Sequence, residues 1–223
     1  MLACAYAALA DILTPPFRSV LMKSLALTVA LLAALWIGVE AAASYLIDLP
    51  YAGLDTTLTI LTGVGLFVGL GFLVAPVTSL LAGLFLDEIA EVVERTRYPG
   101  DPPGVAPPLP QALWQTLKFT GVVLLGNLLA LMLLLIPGVN IAAFFLINGY
   151  LLGREYFEAA ATRFMPPGRA AELRRANGFT VFGAGVVVAV FLAVPIVNLA
   201  TPLFATALMV HLNKRLAGRL PAR

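Results

Sequence analysis

Three groups of polar residues stand out in this chain by type and spacing. The first is Arg18, which follows Pro15, Pro16 and Phe17 and precedes Ser19 at the head of an apolar run. A guanidinium at a helix start presents a fork of donors beside orphan backbone N–H groups, an arrangement suited to an oxyanion. The same arginine can also serve as a topology-setting side chain that snorkels to lipid phosphate. The second group is Arg154, Glu155 and Glu158, which close a later apolar run, with Glu88 and Glu91 on another segment. Ionisable groups at membrane depth are costly and commonly functional, so these five can line a polar route for an ion. Arg154 and Glu158 are also spaced to pair with each other on one helix face.

The third group is a pair of elbows. Pro137-Gly138-Val139-Asn140 interrupts one apolar run, and Pro195-Ile196-Val197-Asn198 interrupts another. Neither break carries a charge, so neither suits a water-facing loop. The two elbows have the same spacing, Pro137 to Pro195 and Asn140 to Asn198, which reads as a duplicated hairpin. A bend inside apolar surroundings must have its freed backbone groups satisfied by protein or cavity water. Asn140 and Asn198 suit that need as N-caps of the outgoing helices.

Other chemistry finds little material. The single His, His211, has no acid or nucleophile in its own run, and Cys4 is the lone cysteine. No phosphate-cradling glycine loop or ATP-binding motif occurs, so the expectation is no enzyme, no cofactor and no metal. Any transport would be passive or ion-coupled.

The elements that must position these residues follow from composition. The chain is 61% hydrophobic and 12% charged, with a mean hydropathy of +0.96. Soluble domains carry roughly 25% charged residues, and 223 residues cannot enclose so much apolar surface. The expected solvent is lipid. A net charge of +2 gives no footprint for nucleic acid.

Read in order, the chain forms one membrane domain. Residues 1–16 lack a basic stretch before their apolar part and read as an interfacial helix rather than a leader. Residues 17–98 hold two spanning helices, the second with a glycine stripe at Gly63, Gly65, Gly69 and Gly71 and a kink at Pro76. Residues 99–110 are a proline-rich connector. Residues 111–165 form the first hairpin, and 169–217 a basic surface helix followed by the second hairpin. No Lys or Arg occurs between Lys23 and Arg95, which places both ends of the spanning pair on the cytoplasmic side. The apolar arms after each elbow, 141–153 and 199–210, fall short of the roughly 20 residues a span needs. The hairpins are therefore expected to be re-entrant, with six full spans as the alternative. The fold class is an all-α integral membrane protein: two long transmembrane helices, two hemi-penetrating hairpins and short amphipathic surface helices.

The two elbows, the stretch Gly149–Glu158 (GYLLGREYFE), the Pro76 helix and the Pro-Phe-Arg opening of the first long helix together resemble the CysZ-type sulfate permeases, also called the etoposide-induced domain family. The resemblance runs through the whole chain in order. It implies a multi-pass protein of the bacterial inner membrane, assembled as a homo-oligomer in lipid, that takes up sulfate for cysteine synthesis. It also implies an anion site at the start of the first long helix, on Phe17, Arg18 and Ser19. Pro16 stands where the family pattern has a glycine, and it offers no N–H. The competing reading is a membrane scaffold or assembly factor that transports nothing, suggested by small-residue stripes and few buried charges.

Overall fold

The computed structural model describes residues 1–46, 85–108, 139–194 and 196–218, with isolated positions between 63 and 77 and at 110. Most of the second long run, Pro76, the ingoing arm of the first hairpin, Pro137 and Pro195 lie outside the described residues. Among those described, every regular element is helical. They are α1 (Leu2–Ile12), α2 (Pro15–Leu46), α3 (Leu86–Arg97), α4 (Val139–Thr162), α5 (Pro167–Ala176), α6 (Gly178–Ala193) and α7 (Thr201–Ala217), with a 3₁₀ turn at Val197–Ala200 before α7.

The 32 residues of α2 make a rod about 48 Å long. Pro15 and Pro16 fit its first turn, where a missing N–H costs little. Its stretch Pro15–Ala42 has a mean hydropathy of 2.1, and only 22% of its most apolar window is buried within the protein. A hydrocarbon layer of about 30 Å is crossed with length to spare. No other single described helix is both long and apolar enough to cross.

α7 contrasts with α2. Every residue from Thr201 to Asn213 is buried, because α1, α3, α4 and α6 all pack around it. Its fully enclosed Leu203, Leu208, Met209 and Leu212 join Ile89 and Val93 of α3 and Phe157 of α4 in one core. With 17 residues it is about 26 Å long, and α6 with 16 is about 24 Å. Both are shorter than the hydrocarbon layer. α5 and α6 meet at 92° over Asn177.

The first elbow's outgoing helix, α4, crosses the second elbow's ingoing helix, α6, at backbone distance. A Cβ on Gly153 would lie 2.7 Å from the Val181 carbonyl oxygen. One on Gly185 would lie 2.6 Å from the Gly153 nitrogen and would fall on the Gly149 carbonyl oxygen. Only glycine permits that approach. The stripe singled out in the sequence differs: Gly63, Gly65, Gly69 and Gly71 have nothing within 4 Å of a built Cβ among the described residues.

The capping expected of the asparagines is corrected by the structure. α4 begins at Val139, so Asn140 is already in its first turn. At the second elbow the chain winds through the 3₁₀ turn before α7, and Ala200 takes the N-cap position. Asn198 Oδ1 instead accepts from the Thr201 hydroxyl at 3.4 Å. The strain of the elbow falls on Ile196, which has φ 68° and ψ −53° and is the sole non-glycine with positive φ among the described residues. A β-branched residue strongly disfavours that region, and Ile196 is also 84% exposed.

Candidate functional site

The start of α2 packs against α3 and the end of α1, and a cavity of about 190 Å³ opens there. Asp11, Thr14, Pro16, Phe17, Val92, Thr96 and Arg97 line it. Pro15 and Pro16 carry no N–H, and the Arg18 N–H bonds the Thr14 carbonyl at 3.1 Å. Phe17 therefore supplies the one orphan N–H of the first turn. The Thr14 hydroxyl donates to the Asp11 carbonyl at 2.6 Å, and the Thr96 hydroxyl to the Val92 carbonyl at 2.7 Å. Arg97 brings the cavity a guanidinium, two of whose nitrogens, Nε and Nη2, are engaged by Asp11.

Arg97 is held in place by a buried chain of hydrogen bonds. Its Nε and Nη2 donate to Asp11 Oδ1 at 2.8 and 2.6 Å. The other oxygen, Asp11 Oδ2, meets His211 Nε2 at 2.8 Å. His211 Nδ1 lies 2.7 Å from the Tyr98 hydroxyl. With Nε2 protonated, the imidazole donates to Asp11 and accepts from Tyr98, which satisfies every member. Asp11 and His211 side chains are each 4% exposed. Burial raises the Tyr98 phenol above its ordinary range, with Cys4, Asp11 and Asp101 adding to that against Arg97. Tyr98 therefore stays protonated.

A second buried cluster joins α3 to the end of α4. Arg163 donates from Nε to Glu94 Oε1 at 2.7 Å and from Nη1 to Asp87 Oδ1 at 2.5 Å. Arg163 and Glu94 are 5% and 4% exposed. The Gly104 N–H also donates to Glu94, at 2.9 Å, which fastens the proline-rich connector to the bundle. Burial works against the charge of Arg163, but its bonds to Glu94 and Asp87 outweigh that and raise its proton affinity. On the connector, Asp101 pairs with Lys214 at 3.1 Å, and that ammonium lies 4.1 Å from the Phe164 ring centre.

The residues singled out in the sequence fall as follows. Phe17 turns its ring into the core at 1% exposure, while Arg18 and Ser19 are exposed. Among the described residues no carboxylate pairs with Arg18. Glu88 reaches Lys23 of α2 at 3.5 Å, and Glu91 pairs with Arg95 on its own helix. Glu158 accepts from Arg174 of α5 at 2.7 Å, with Arg154 at 3.7 Å. Glu155 is half-buried, with no bonded partner among the described residues. No described bond links the Glu88 and Glu91 pairs to the Arg154 cluster. Glu94, Asp87 and Arg163 make that helix-to-helix connection instead, and sequence reasoning missed them. It also missed Asp11, because the acid that meets His211 lies at the other end of the chain.

The match that places this chain covers nearly all of it: the family described as sulfate transporter CysZ/etoposide-induced protein 2.4 matches residues 4–202. The chain belongs to this family. Its role is thereby related, at the level of the family, to sulfate transport at a membrane. The matched stretch takes in the α2 start, both buried clusters except His211 and Lys214, and both elbows. No curated protein matches the chain.

Proposed function

We propose that this protein is a permease or channel for sulfate, or a closely related oxyanion, in the bacterial inner membrane. It supplies sulfate for cysteine synthesis and works without ATP hydrolysis, either passively or coupled to another ion. The observation that carries this reading is the α2 start. There Phe17 and Arg97 line a cavity, and the residue after Phe17 in the chain, Arg18, is exposed and has no described carboxylate partner. A tetrahedral dianion asks for forked guanidinium donors and unspent backbone N–H groups, and this end of α2 offers two arginines and the one orphan N–H of Phe17.

The surrounding architecture is read in the same frame. α2 is one of two spanning helices. The helices after the elbows belong to two re-entrant hairpins; α6 and α7, each shorter than the hydrocarbon layer, support this. Arg154, Glu155 and Glu158 flank the route beyond the hairpins, and a homo-oligomer in lipid covers the apolar outer faces.

The test is uptake of radiolabelled sulfate by proteoliposomes. The reading expects uptake above protein-free vesicles, and at least a tenfold fall in Arg18→Ala. Uptake equal to protein-free vesicles, or unchanged by that substitution, rejects it.

A further inference from the structure

The cavity at the α2 start contains a carboxylate as well as a guanidinium, an odd furnishing for an anion site. Asp11 is almost fully buried, and its two oxygens are shared between Arg97 and His211. We propose that Asp11 is the cavity's built-in counter-anion: it neutralises Arg97 while the cavity is empty and keeps oxyanion binding weak enough for release. His211 is the positioning residue that holds it there, itself oriented by Tyr98. This rests on the reading of the cavity as an oxyanion site.

The geometry supports a restraining role over a merely adhesive one. Oδ1 occupies both Nε and Nη2 of Arg97, the same edge a bidentate oxyanion would use. An arriving dianion must therefore share that edge or turn to Nη1, which has no partner among the described residues. Asp11 cannot swing clear, because Oδ2 is tied to a histidine on the most buried of the described helices. Arg97 is the more open partner, its side chain 45% exposed against 4% for Asp11. The acid is thus the enclosed member of the pair, and the base is the one that faces the cavity. A permeation site must bind well enough to admit an ion and loosely enough to let it go. A fixed negative charge a few ångströms from the ligand meets the second requirement.

The experiment compares sulfate affinity and sulfate flux in wild type and Asp11→Asn, using purified protein for calorimetry and proteoliposomes for uptake. Asparagine keeps an oxygen for Arg97 and removes the charge. The proposal expects affinity about three- to tenfold tighter, the Coulomb effect of removing one charge at a partly solvated site. It also expects flux at saturating sulfate to fall by roughly threefold, because release slows. A purely structural aspartate would weaken both together, and that result, or unchanged affinity, overturns the proposal. Asp11→Ser takes the place of Asp11→Asn if the latter does not give a monodisperse protein. Arg97→Gln separates the two levels. If wild type binds sulfate but Arg97→Gln binds it equally well, the cavity is not the oxyanion site, and both this inference and its premise fail. If Arg97→Gln loses affinity while Asp11→Asn leaves it unchanged, only the counter-anion fails.

Discussion

Two regions hold this molecule together by opposite means. Where α4 crosses α6 no ion pair joins them among the described residues, and Gly149, Gly153 and Gly185 bring the backbones into direct contact. Where α1, α3, α7 and the end of α4 meet, the fastening is ionic: Arg97–Asp11–His211–Tyr98 and Arg163–Glu94–Asp87. The first region depends on the absence of side chains and the second on their pairing. The difference has a physical basis. Two apolar helices gain from close packing, and small residues allow it. Charges out of water must be paired.

Breaking the ionic region should cost most. Arg163→Ala leaves Glu94 buried without its cation, and a loss of about 3–5 kcal/mol is expected, read as thermal unfolding of the detergent-solubilised protein. A near wild-type unfolding temperature would show that the cluster is not closed to water. Gly185→Ala comes next. The added methyl falls on the Gly149 carbonyl, and overpacking against backbone is expected to cost about 1–3 kcal/mol or more. Gly69→Ala serves as its control and should change stability by less than about 0.5 kcal/mol. Equal losses in the two glycine variants would mean that the α4–α6 crossing is no tighter than the surroundings of Gly69.

A smaller effect of opposite sign is expected at the second elbow. Ile196→Gly relieves a positive φ at an exposed position and should stabilise by about 1 kcal/mol; destabilisation would mean that the isoleucine side chain is held by a contact outside the protomer. The smallest effect belongs to Glu91→Gln. Its pair with Arg95 is exposed on a single helix, and the change should stay within about 0.5 kcal/mol.

The sequence displayed its apolar runs and breaks plainly: α2 begins on Pro15 and Pro16, and α4 begins within the first elbow, at Val139. Composition also spoke for lipid, and the elbows for the family. Pairing across the chain was hidden. His211 has no acid in its own run, and Asp11 reaches it only once α1 packs on α7. Glu94 and Arg163 were passed over for a similar reason: Glu91 and Arg95 offered a local partner at helical spacing, and local spacing says nothing about which acid faces inward. The close approach of α4 and α6 was hidden as well: Gly149, Gly153 and Gly185 are sparse in the sequence, and they meet a neighbouring backbone because they face each other across two helices. Some signal was present for Asp11, the one charge within the first 17 residues.

An oxyanion is expected at the start of α2, and selenate gives the most direct view of it. The protein crystallised with selenate should show anomalous signal in the cavity lined by Thr14, Phe17 and Arg97, within hydrogen-bond reach of the Arg97 guanidinium. Selenate bound elsewhere, with that cavity empty at the same concentration, would contradict the account.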